Sequence, residues 1–437
     1  MFSYFKNLIH RYTTREPSPS AADTKQALSE SLDWNLDFFR DKFDGSADLT
    51  IREMEIEGTK AAVITIEGMI NKETLANAVI NPIMRTFYSQ EDPAEKYEYI
   101  RDNVLSSSEQ VEVGTFEQAF ALVMSGFALL AIDGCGVVLA IGLQGFSFRG
   151  VSEPTNEVME KGSKEGFVEP LRINMTLIRR RMKNPKLKFE TLSVGSVSKT
   201  DVCLCYLRDT VSPEVIKEIK KRLSSSTLET VLSSSYLIPF LEEEKNMCPF
   251  SGIGLSERPD TVCGKIAEGR VAVLVDGTPG VLIVPYLFVE YFQTMDDYSN
   301  QPYFATFTRW LKYLAFFIAT LLPGIYVAVG TFNPEVFPEE LMNKIATAIA
   351  TTPFPLMLEA LVIHFIYEIM REAGLRLPKP LGHAVSIVGA LVIGDTAISS
   401  GLIGATTLMV VALTAISSYV IPSLYEPIAI LRLLFII

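Results

Sequence analysis

The sequence predicts an α/β soluble N-terminal region of two similar subdomains, followed by an all-α transmembrane domain. Three observations carry that expectation. From about Trp310 to Ile437 the chain is built from long apolar runs, whereas the part before it is acidic and mixed. Tyr313 to Phe332 and Thr396 to Tyr425 hold no Asp, Glu, Lys, Arg or His, and each is long enough to cross a hydrocarbon core about 30 Å thick. The polar part also repeats itself. The β-rich runs Lys60 to Ile66 (KAAVITI) and Asp201 to Leu207 (DVCLCYL) are each followed by a helical pattern, at Lys72 to Ile83 and Glu214 to Leu223. Phe127 to Leu143 and Arg270 to Pro285 each set an Asp-Gly pair between two apolar runs. Ile66 and Leu207 are 141 positions apart, Asp133 and Asp276 143. Such spacing predicts a duplicated αβ unit of about 140 residues, an ordinary domain size.

The expected organisation is a flexible tail over 1–30, α/β subdomains over 31–185 and 186–308, and a transmembrane domain over 309–437 of about four spans plus the start of a fifth. Met1 to Tyr12 scatters Lys6, His10 and Arg11 among Phe2, Phe5, Leu8 and Ile9, so it lacks the apolar core of a signal peptide. It reads as a frayed terminus or a short amphipathic helix. Thr13 to Gln26 is polar and Pro-containing, the composition of a flexible segment. Asn71 and Ser212 stand at cap positions, with Glu73 and Glu214 in the first turns that follow. The Asp-Gly pairs are hairpin turns, where Gly takes positive φ without steric cost. Turn chemistry accounts for Asp133 and Asp276 without any role as paired catalytic acids.

Composition excludes several functions. The hydrophobic content of 48% and mean hydropathy of +0.25 average two unlike halves. Residues 306–437 hold seven Lys/Arg and eight Asp/Glu, leaving 32 basic and 43 acidic residues, a net of −11, for positions 1–305. That excess is wrong for nucleic acid, whose phosphates need surplus Lys and Arg. Cys135, Cys203, Cys205, Cys248 and Cys263 form no C-x-x-C pair, and three His in all cannot build a His-rich metal site. The cysteines are read as reduced core residues. With no phosphate-binding Gly-rich loop, no H-E-x-x-H and no nucleophile–His set, neither cofactor nor enzyme is expected.

The apolar half reads as follows. Leu311 to Phe332 is span one, entered through Arg309 and Lys312, with a kink at Pro323-Gly324. Span two, from about Ile345 to Met370, is broken by Pro353-Phe354-Pro355. Arg371, Arg376 and Lys379 come next, which places that loop and the N-terminal domain on the cytoplasmic face. Leu381 to Ser400 and Leu402 to Ile421 make a Gly-rich pair joined near Gly401, and a further apolar stretch begins after Pro427. Ionisable residues in such segments are functional candidates. Glu359 either lines a polar path opened by the broken helix or bonds a neighbouring helix or subunit. His364, Glu368 and Arg371 share the opposite face, where His364 with Glu368, or Glu368 with Arg371, can pair. Asp395 is a membrane-edge loop residue or a buried one. The candidate ion-path or gating set is therefore Glu359, His364, Glu368 and Asp395, with Pro323, Pro353 and Pro355. Arg172, Arg179, Arg180 and Arg181 form a basic cluster, read either as an anion or partner contact or as a solvated helix end.

Several long motifs resemble the A-subunits of GerA family spore germinant receptors. They are Glu153-Pro154 with Glu157, Glu165 to Arg172 (EGFVEPLR) with Asn174, Leu177 to Arg181, Glu257 to Asp260 (ERPD), Glu268 to Pro279 (EGRVAVLVDGTP), and Arg371 to Pro378 through Ala384 to Gly394. Similarity runs in order from about Ser31 to the end. Family members more often carry Gly-Pro-Arg-Glu-Gly-Phe where this chain has Gly162-Ser163-Lys164-Glu165-Gly166-Phe167, and an acid where it has His364, a replacement that invites pH sensitivity. Members usually continue through another apolar hairpin and a basic tail, so the resemblance implies a chain shortened at its C-terminus. It also implies a spore inner-membrane protein, with its N-terminal domain on the core side, that works with a permease-like B subunit and a lipoprotein C subunit. Self-association into a nutrient-gated ion channel follows from the same resemblance, and the duplicated units are expected to pack ring-wise beneath the spans. A secondary transporter and a pore-less scaffold subunit are the rival expectations.

Overall fold

The computed structural model describes residues 26–105, 109–145, 162–242, 248–376 and 394–437. The expected tail up to residue 25, the motif residues Glu153, Pro154 and Glu157, and most of the expected third span lie outside the described residues. The chain forms two compact units, 1–246 with 252–286, and 247–251 with 287–437.

The first unit holds two five-stranded sheets. In one, β1 (Leu49–Ile56), β2 (Thr59–Ile66), β3 (Gln110–Val113), β4 (Phe127–Ile132) and β5 (Val138–Gly142) lie in the order β1-β2-β4-β5-β3. In the other, β6 (Leu187–Val194), β7 (Thr200–Leu207), β8 (Gly254–Ser256), β9 (Val271–Val275) and β10 (Val281–Val284) lie in the matching order β6-β7-β9-β10-β8. Every pairing is antiparallel. Both Asp-Gly segments are hairpins, pairing Ala131 with Val138 and Leu282 with Val273.

Helices cover both faces of each sheet. On one face of the first sheet, α1 (Leu32–Phe43) and α2 (Phe116–Val123) bury Phe39 and Phe116 against Ala62, Ile64 and Leu129. On the other, a helical stretch over 72–85 and another over 93–104 bury Val79, Ile83 and Ile100 against Val63, Ala128 and Leu130. The second sheet repeats this with α3 (Leu171–Arg181) and α5 (Pro259–Ala267) on one face and α4 (Pro213–Ser224) on the other. Burial on both faces explains why β4 (FALLAI) and β9 (VAVLV) are uninterrupted apolar runs rather than alternating ones. Cys203 and Cys205 are buried in β7, where loss of water pushes both thiols up, and it pushes Cys263 up to about 12.

The duplication extends to single hydrogen bonds. Asp133 Oδ1 accepts the Leu32 N–H at 2.9 Å, and Asp276 Oδ1 accepts the Leu171 N–H at 2.9 Å. Each carboxylate therefore satisfies an orphan amide at the start of its unit's first helix. Gly134 and Gly277, at φ +86° and +85°, donate to the carbonyls of Glu30 and Glu169. Asn35 exchanges two hydrogen bonds with the Ser29 backbone, as Asn174 does with Val168. The Asp-Gly turn is thus also the dock for a helix 101 residues away in one unit and 105 in the other.

The second unit comprises α6 (Pro302–Phe332), α7 (Glu339–Thr351), α8 (Leu356–Arg376), α9 (Ala405–Tyr419) and α10 (Tyr425–Ile436). Among the described residues, α6 alone is long and apolar enough to cross a membrane; α9 and the segment Pro422–Ile436 pass only as one path bent by 111°. Of the expected spans, α6 covers the first, and most of the third lies outside the described residues. The stretch 345–370 is cut at Pro353-Phe354-Pro355 into a 13-residue helix and a 21-residue helix, and the latter carries Glu359, Glu368, Arg371, Glu372 and Arg376. The apolar run through 421 turns sharply at Pro422. The helix α6 starts nine residues before the expected span, with Pro302 at its first position, where the missing N–H costs nothing. It continues through Pro323 as one helix.

Replacing Asp133 or Asp276 by Ala is expected to lower stability by about 1 kcal/mol each, the typical value of a helix N-terminal acceptor. Thermal melts of the purified full chain check it; an unchanged midpoint for both variants would contradict the docking role.

Candidate functional site

In the first unit, the family-like motifs converge on α3. The chain enters this helix through Glu165-Gly166-Phe167, and the Phe167 N–H is bound by the Glu257 carbonyl at 2.8 Å. Arg258, almost fully buried, holds Asp260 with Nε and Nη2 and donates from Nη2 to the Ser163 carbonyl at 2.8 Å. Asp276 secures the first amide of the helix. Motifs about 100 residues apart in sequence therefore fix one entry geometry.

Arg172, Arg179, Arg180 and Arg181 leave α3 in different directions. Arg172 pairs with Glu67 at the surface. Arg180 and Arg181 both bind Glu165, at 2.5 and 2.6 Å, and Arg181 also reaches the Ser163 hydroxyl at 2.7 Å. Burial opposes ionisation of Glu165, but the two guanidinium groups outweigh it and hold the carboxyl below its usual range. Arg179 turns inward and is 1% exposed. Its Nε and Nη2 grip Asp48 at 2.6 and 3.0 Å, while Nη1 and Nη2 donate to the carbonyls of Asn184 and Leu187 at 2.9 and 2.8 Å. Phe43 and Phe189 flank the guanidinium at 5.7 and 5.0 Å, a cation–π arrangement. Since Asp48 and Phe43 belong to the first αβ unit and Leu187 and Phe189 to the second, this pair joins the two. Ser46 completes the joint, donating to Asp48 at 2.6 Å and accepting the Phe189 N–H at 3.0 Å. At its rim, the hydrogen bond from Lys188, with Arg208 adding to it, holds the Asp44 carboxyl below its usual range.

The helical unit buries charge among apolar side chains. Glu359 is 1% exposed, and its Oε1 accepts the Gly404 N–H at 2.6 Å, so a residue one turn past the Pro-Phe-Pro break caps α9. A cavity of about 360 Å³ lies beside it, lined by Phe354, Val362, Ile366, Ala397 and Leu402 among others. Glu368 binds Arg432 Nη2 and the Tyr425 hydroxyl, the latter at 2.5 Å. Arg371 stacks over the Tyr425 ring at 3.1 Å. His364 and Arg432 are each fully buried; among the described residues, neither ring nitrogen of His364, nor Nε or Nη1 of Arg432, has a hydrogen-bond partner. Of the expected pairings on α8, Glu368 takes Arg432 rather than His364 or Arg371. Asp395 is exposed in a short helical stretch over 394–399. Pro323 is buried in α6, and Pro353 and Pro355 are exposed at the break. The neighbouring Gly324 sits where a Cβ would overlap the Phe435 carbonyl, which is how α10 lies close against α6.

Sequence reasoning passed over Arg432, Tyr425 and Asp48. Arg432 is the lone charge in 427–437, and that isolation was the available signal. Asp48 sits in an ordinary polar stretch and offered none.

A duplicated antiparallel αβ body, followed by an apolar helical unit that holds several ionisable side chains, defines a chain of two unlike parts. Comparison with known proteins gives its family: the chain belongs to the Bacillus/Clostridium GerA spore germination proteins, which it matches over residues 37–437. It is 38% identical over 415 residues to spore germination protein KA of Bacillus subtilis (strain 168), covering 94% of this chain and 76% of that one. Identity is 36% over 396 residues to the uncharacterized membrane protein YfkQ of the same organism, 90% of this chain and 76% of that one. It is 32% over 385 residues to spore germination protein GerLA of Bacillus cereus, 88% and 78%. Among solved structures, the N-terminal domain of the A subunit of the Bacillus megaterium spore germinant receptor GerK3 aligns with a TM-score of 0.47 and 30% identity, over 61% of this chain and 98% of that one. The resemblance read from the motifs is thereby established, and a role in spore germination with it.

Arg179→Lys is expected to destabilise the full chain by about 3 kcal/mol or more, because a lysine cannot reproduce the two-pronged grip on buried Asp48. Thermal unfolding of the purified protein measures it; a loss near zero would show that the joint does not depend on the guanidinium.

Proposed function

We propose that this chain is the A subunit of a nutrient germinant receptor. It acts in the spore inner membrane with a permease-like B subunit and a lipoprotein C subunit, and self-associates as a ligand-gated cation channel. The observation that carries the reading is the family match across nearly the whole chain, both the αβ body and the helical unit. Two further features support a membrane setting: the 31-residue apolar helix α6, and relatives among which one is named a membrane protein. Buried Glu359 and Arg432, with Glu368 partly buried beside them, support a polar route through apolar helices, since ionisable groups persist in such surroundings where they serve a path or a switch. Nutrient need not touch this chain. It must favour the open arrangement over the closed one by its differential affinity, wherever in the complex it binds. The acidic αβ body, on the core side, supplies the surface for assembly.

Deleting the gene in its sporulating host should abolish potassium release triggered by at least one nutrient, and the 437-residue chain should restore it. Purified spores in a panel of amino acids and sugars, followed with a potassium electrode, give the readout. Unchanged release across the panel would contradict the assignment.

A further inference from the structure

The polar groups between α8 and α10 are half satisfied among the described residues, and the two halves favour different arrangements. Glu368 and Arg432 lie 64 residues apart and join these helices by an ion pair to which Tyr425 adds a hydrogen bond. Separating the pair strands the fully buried Arg432 charge and leaves a partly buried carboxylate, so the pair favours the packed arrangement. His364 and the remaining donors of Arg432 pull the other way. Among the described residues, both ring nitrogens of His364 and Nε and Nη1 of Arg432 are buried without partners, which is rare because each orphan forfeits its hydrogen bonds to water. Any movement that admits water between the helices satisfies those groups. An element whose contacts favour one state and whose orphans favour another is bistable in the sense that switching requires.

Resting on the channel reading above, we propose that Glu368–Arg432 is a latch holding α8 against α10 in a closed state. Its separation hydrates His364 and the free donors of Arg432, and so forms the polar route for cations. The two sets of residues then have opposite effects. Weakening the pair releases the latch without nutrient, whereas replacing His364 by an apolar side chain removes the reason to hydrate and makes opening harder. A purely structural role for the cluster gives one sign only.

The test uses spores carrying Glu368→Gln, Arg432→Met or His364→Leu in the full chain, with the protein quantified in inner membranes by immunoblot. At wild-type abundance, Glu368→Gln and Arg432→Met should leak potassium without nutrient at about ten times the wild-type rate, the size of one charged hydrogen bond or one buried orphan. His364→Leu should slow nutrient-triggered release by about tenfold with no leak. Wild-type retention in both pair variants, or a leak in His364→Leu, overturns the latch. Where a pair variant is missing from the membrane, or where wild-type spores show no nutrient response and the channel reading fails, hydrogen–deuterium exchange of the purified full chain in lipid nanodiscs decides the latch separately. Residues 425–436 should exchange faster in Glu368→Gln and slower in His364→Leu. No change, or a change of one sign in both, overturns it.

Discussion

A guanidinium removed from water has to find its counter-charge inside the chain, and Arg179 finds it on the other αβ unit. The two-pronged bond to Asp48, the carbonyls of Asn184 and Leu187, and the flanking rings of Phe43 and Phe189 leave its hydrogen-bonding fork well used. Position follows from that demand. The α3 helix must enter its unit at one angle for Arg179 to reach Asp48, and the entry is fixed by Asp276 on the first amide, by Glu257 on the Phe167 amide, and by Arg258 on the Ser163 carbonyl. The motifs that mark the family are, in this unit, largely the parts of that entry.

The helical unit meets the same constraint and resolves it only in part. Glu359 is satisfied by capping a neighbouring helix, and Glu368 by Arg432 and Tyr425. His364 and two positions on Arg432 are left over. A unit meant only for rigidity would do better with apolar residues there, since well-packed hydrophobic replacements of buried ion pairs are often more stable. The proposed latch draws on that incomplete satisfaction, which lies beside a broken helix and a glycine-mediated helix contact.

Much of the first unit was legible because its physics is local. Alternation of apolar runs with Asp-Gly turns gives hairpins wherever it occurs, and the repeat of that pattern 143 positions later gives the duplication. The edge strands β1 and β6 were harder to see: LTIREMEI and LKFETLSV are half polar because one face or edge is open to solvent. In the helical unit the break at Pro353-Phe354-Pro355 was legible from its prolines, whereas the turn at Pro422 was not. Candidate residues on α8 were found by their charge, whereas their partners were not, because Arg432 lies 64 residues beyond Glu368 and sequence spacing carries no information about contacts at that range. The basic cluster 179–181 looked like one surface; helix geometry sends neighbouring side chains about 100° apart, so one arginine could be core while the next two faced an acid at the rim.

The account turns on buried charges acting as pairs rather than singly, and a reciprocal exchange measures that most directly. Glu368→Arg and Arg432→Glu would be made separately and together, with abundance and nutrient-triggered potassium release recorded for each. The account predicts that each single exchange, which sets like charges face to face, loses regulated release and that the double exchange recovers most of it. Losses that simply add, leaving the double variant worse than either single one, would contradict it.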